Sequence, residues 1–64
     1  MSPSKLEVLR TAMAAARKFA HSSRPHGDAM TILFKIYREE CPAYRDGTFI
    51  SLDALWDFCN KEAD

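Results

Sequence analysis

A chain of 64 residues and 7.3 kDa has room for one domain, residues 1–64, and one small core. A domain this short buries only roughly 60% of the surface its unfolded chain exposes, which leaves little for an enclosed substrate pocket. Nine basic side chains balance nine acidic ones and 47% of the residues are apolar, so neither a highly charged disordered tail nor a bulk polyanion binder is expected.

No uncharged stretch approaches the roughly 18–20 residues of a membrane span, and no membrane partner is expected. The opening residues Met1 to Glu7 lack the basic patch and apolar run of a secretory signal. A cytoplasmic location is therefore the expectation. In that compartment Cys41 and Cys59 are reduced thiols, read as small buried hydrophobes rather than as a disulfide.

Residues 4–21 read as an amphipathic helix. Leu6, Leu9, Met13, Ala16 and Ala20 recur at spacings of three and four, and Val8, Ala12, Ala15 and Phe19 widen the apolar face. Two starts are legal: a capping box formed by Ser4 and Glu7, or Ser2 as cap with Pro3 in the first helical position. His21 to Gly27 reads as a linker, because Pro25 restricts Arg24 and the serines compete for backbone hydrogen bonds. Asp28 then caps a second helix, 28–40, which is apolar around most of its circumference and is expected at the centre. The run Thr31 to Tyr37 also has strand propensity, but the cap and the tail Arg38-Glu39-Glu40 favour helix.

Cys41-Pro42 ends that helix. Asp46-Gly47 marks a short turn or mini-hairpin within 43–50. Ser51 caps a third helix, 52–62, with Ile50 and Leu55 at the positions of a hydrophobic staple. Leu52, Leu55, Trp56, Cys59 and Ala63 make its apolar face. The fold predicted is all-α, a small three-helix bundle anchored by Leu9, Met13, Leu33, Phe34, Ile36, Leu55 and Trp56.

Catalytic machinery is not legible. Neither cysteine has a base beside it, two glycines cannot form a phosphate loop, and Asp53 and Asp57 read as a solvated helix face. His21 and His26 have a zinc-finger-like spacing, yet the cysteine half of that motif is missing. No enzyme activity, metal or cofactor is expected.

The charge distribution is more informative. Residues 1–26 carry five basic side chains against one acidic, and residues 27–64 carry four basic against eight acidic. Arg10, Arg17, Lys18 and His21 form a basic stripe on the first helix, which Arg24 extends. Arg10 and Arg17 are expected to point away from the core, so that reversing both leaves the fold intact. Tyr44 and Phe49 flank the Asp46-Gly47 turn as candidate aromatic anchors.

Such a chain reads as a non-enzymatic interaction module, an adaptor, inhibitor or regulatory subunit that docks on an acidic protein surface. The broad apolar faces of the first two helices add the expectation of a homodimer. The alternative is a nucleic-acid-binding regulator using the basic face of the first helix. It is disfavoured, because helices two and three are too far apart for a helix-turn-helix and the third is acidic on its exposed face.

Overall fold

The computed structural model describes residues 1–41 and 50–63, and among these the architecture is three helices, α1 (Pro3–Lys18), α2 (Arg24–Glu40) and α3 (Leu52–Ala63). The all-α three-helix reading is correct. The anticipated turn at 43–50 falls, apart from Ile50, outside the described residues, as do Tyr44 and Phe49.

Of the two possible starts for α1, the chain uses Ser2. Its hydroxyl accepts from the Lys5 backbone N–H at 3.2 Å, and Pro3 occupies the first turn, where a missing N–H costs nothing. The far end corrects the sequence reading. α1 stops at Lys18 instead of residue 21, and α2 begins at Arg24 instead of residue 28. Ser23, not Asp28, is the N-cap: its Oγ accepts from the His26 N–H at 3.3 Å and donates to the Ala20 carbonyl at 2.6 Å. Pro25, which looked like a linker residue, lies in the first turn of α2, where proline is tolerated. The reversal between the two helices then takes residues 19–23.

The stretch from Thr31 to Tyr37 is helical throughout, and α2 closes with the Cys41 N–H donating to the Tyr37 carbonyl at 2.8 Å. α3 starts as anticipated. Ser51 Oγ accepts from the Ala54 N–H at 3.2 Å, and both staple residues, Ile50 and Leu55, are buried.

α2 runs back along α1, with Lys5 Nζ 3.1 Å from Glu39 Oε2 at one end and His26 beside Ala16 at the other. α3 also runs opposite to α1, since Arg17 meets Asn60 and Arg10 meets Ala63. Leu9, Leu33, Leu55 and Cys59 are fully buried where the three helices converge. Tyr37 of α2 stacks on Phe58 of α3, ring centroids 4.9 Å apart. Five of the seven expected anchors are buried; Phe34 and Trp56 are only partly covered. Val8, Phe19 and Leu52, assigned to apolar faces from their spacing, are exposed at 49%, 38% and 57%. One twelve-residue third helix cannot cover both sides of a two-helix layer.

Gly27 tests the corrected boundary. It sits inside the first turns of α2, and a Cβ there would meet no atom within 4 Å. Gly27→Ala should therefore stabilise the protein by about 0.5–1 kcal/mol through helix propensity, read from urea unfolding. An unchanged or lowered midpoint would return Gly27 to a linker.

Candidate functional site

The turn between α1 and α2 builds a cleft. Phe19 ends α1, with its N–H donating to the Ala15 carbonyl at 3.1 Å, and the chain reverses within a few residues before Ser23 caps α2. That tight reversal brings His26 back onto α1. Its ring Nδ1 lies 3.0 Å from the Ala16 carbonyl, and since a carbonyl only accepts, Nδ1 carries the hydrogen. One of the unsatisfied carbonyls in the last turn of α1 thereby gains a partner from another helix. His21 lies flat against His26, centroids 4.6 Å apart and planes 12° from parallel.

The cleft, about 470 Å³, is lined by these two imidazoles, by Phe19 and Arg17, by Met30 and Phe34 of α2, and by Leu52 and Trp56 of α3. Each helix contributes a wall. α3 is placed by Leu55 and Cys59, whose burial turns Leu52 and Trp56 toward the α1–α2 turn. The result is an apolar, aromatic concavity at the more basic end of the molecule.

The basic stripe divides in two. Arg10 donates from Nε and Nη2 to the Ala63 carbonyl at 3.4 and 3.1 Å. Arg17 donates from Nη2 to Asn60 Oδ1 at 2.9 Å, and its guanidinium carbon lies 5.2 Å from the Trp56 ring centroid. Both side chains are exposed, yet both tie α1 to α3. Both point away from the core as expected, but two glutamates there would remove three hydrogen bonds and a cation–aromatic contact between helices. Lys18, His21 and Arg24 form the other part. Lys18 Nζ is 5.5 Å from the Phe19 centroid, and neither Lys18 nor Arg24 bonds to another helix. These three remain available to a partner at the α1–α2 turn.

His26, Phe19, Met30, Leu52 and Trp56 were not singled out as site residues by their sequence. The signal for His26 was present: Ser23-Arg24-Pro25 is a legal helix start, which places His26 in a first turn. For the others, helical spacing marks an apolar arc without saying which part of it is covered.

The two cysteines are free thiols, Cys41 half-buried and Cys59 buried. Burial pushes the Cys41 thiol above its ordinary range, and the Glu40 and Glu62 carboxylates add to the effect. Burial raises Cys59 too, against a smaller opposing influence from Arg17. Both are therefore protonated and weakly nucleophilic at neutral pH. Among the described residues no group of three or more His, Cys, Asp and Glu side chains is placed to hold a metal ion. No helix there is long and apolar enough to cross a membrane.

No family model, curated protein or solved structure matches this chain.

The thiols give a direct check on the site's chemistry. With iodoacetamide at neutral pH, Cys41 should react more slowly than free cysteine, and Cys59 only as fast as the protein opens. At alkaline pH both raised thiols should erode stability, because the unfolded chain releases those protons first. Rapid alkylation of Cys59 in the folded protein would contradict its placement.

Proposed function

We propose that this protein is a small non-enzymatic binding module, an adaptor, inhibitor or regulatory subunit, that holds an acidic protein segment at the cleft by stoichiometric contact. The observation that carries this reading is the pairing of exposed apolar walls with basic side chains that bond to no other helix among the described residues. Phe19 and Leu52 stand 38% and 57% exposed beside Trp56, and Lys18, His21 and Arg24 lie at the same turn. An exposed apolar concavity rimmed by polar groups is the usual form of an interaction site. Aromatic side chains in such places supply anchoring energy, while rim charges set partner choice and association rate.

The segment that fits has one large apolar side chain for the cleft and carboxylates beside it for the rim. Nucleic acid fits less well. With Arg10 and Arg17 engaged by α3, fewer cations remain to replace the counterions of a phosphate backbone. Two free thiols suit a reducing compartment, and the cytoplasm is the location we favour.

Trp56 is the only tryptophan and lines the cleft, so its emission reports occupancy. Titration with a short acidic peptide bearing one central leucine should give a saturable change that weakens as salt rises. The double variant Lys18→Glu and Arg24→Glu, which breaks no contact between helices, should weaken binding about tenfold or more, a loss of about 1.4 kcal/mol. A basic peptide binding equally well, or duplex DNA binding at physiological salt while the acidic peptide does not, would overturn the reading.

A further inference from the structure

The other side of the α1–α2 layer carries a second apolar surface. α3 packs along one side of these helices, through Arg10 and Arg17 on α1 and Tyr37 on α2. Along the other side runs a groove floored by Ala12, Ala15 and Ala29, with Val8 and Ile32 standing 49% and 39% exposed along its length. Asp28 and Glu7 line one end, and Lys35 lines the other beside the ion pair of Lys5 with Glu39; neither Asp28 nor Lys35 forms an ion pair among the described residues.

From these observations we infer that the groove is the interface of a homodimer, in which two copies pack α2 against α2 antiparallel about a two-fold axis near Ile32.

A two-fold interface must be complementary to itself, because the same patch is presented by both subunits. α2 meets that requirement in its sequence. Asp28 lies four residues before Ile32 and Lys35 three residues after it, all on one edge of the groove. The two charges are about 10 Å apart along the axis, by the helical rise of 1.5 Å per residue. In an antiparallel pair Asp28 of each copy comes level with Lys35 of the other, twice by symmetry, while the two Ile32 side chains meet near the axis. A parallel pairing would set Asp28 level with Asp28 and Lys35 with Lys35.

The alanine floor lets the partner's larger side chains settle close to the backbone. An unrelated acidic or basic partner would satisfy one end of the groove and be repelled at the other. This interface does not use the cleft, which lies at the α1–α2 turn and on the α3 side, so a dimer leaves both clefts open.

Sedimentation equilibrium over a wide concentration range tests the assignment. The natural chain should shift from 7.3 kDa toward twice that mass as concentration rises. Ile32→Glu should hold it at the monomer mass with its helical circular dichroism unchanged. Asp28→Lys and Lys35→Asp should each weaken self-association about tenfold by setting like charges together, and an equimolar mixture of the two should restore it, since both ion pairs reform across the mixed dimer. A 7.3 kDa species at every concentration overturns the inference. So does a dimer that survives Ile32→Glu, and a failure of the mixture to restore association overturns the antiparallel α2 pairing.

Discussion

Arg17 reaches from the last turn of α1 to α3, where its guanidinium bonds Asn60 and lies over the Trp56 ring. The rest of the molecule depends on what this contact holds. α3 has twelve residues, and a helix of that length is marginal in water without tertiary support. Leu55 and Cys59 provide the apolar part of that support, and Arg10 and Arg17 provide the directional part. A hydrogen bond contributes about 0.5–1.5 kcal/mol and a cation–aromatic contact at an exposed site about 0.5–1 kcal/mol. In a domain with one small core, such amounts decide whether the third helix stays docked.

Docking α3 on one side creates an asymmetry that organises the surface. On that side, the gap between α3 and the α1–α2 turn becomes the aromatic cleft, with Trp56 fixed at its wall by the same arginine. On the other side no described helix covers the layer, and Val8 and Ile32 face outward. The charges follow the division. Basic side chains lie at the turn beside the cleft, whereas the α2 edge of the groove sets Asp28 and Lys35 on either side of Ile32. A single packing decision thus leaves two apolar surfaces that differ in the charges around them.

The number and type of helices were legible because they rest on local signals: apolar spacing, Ser2 and Ser51 as caps, and Pro42 as a stop. The α1–α2 boundary was not, because Ser23-Arg24-Pro25 is both a chain breaker and a helix start. The capping bond of Ser23 and the fit of His26 against the Ala16 carbonyl distinguish the two. The basic stripe was legible as a stripe, Arg10 and Arg17 included. Their partners were not, since Ala63 and Asn60 lie 53 and 43 residues away and no periodicity links them. Exposure of Val8, Ile32 and Leu52 was hidden for a related reason. Periodicity defines the apolar arc of a helix, but its coverage depends on how many neighbours the chain can supply.

Arg17 belongs to the fold and holds the cleft's third wall, and native-state hydrogen exchange can show this. In Arg17→Ala, amides of α3 should lose protection about fivefold to tenfold, corresponding to about 1–1.4 kcal/mol, while those in the middle of α1 and α2 change little. Unaltered protection across Leu55 to Asn60 would contradict the account and return Arg17 to the surface stripe.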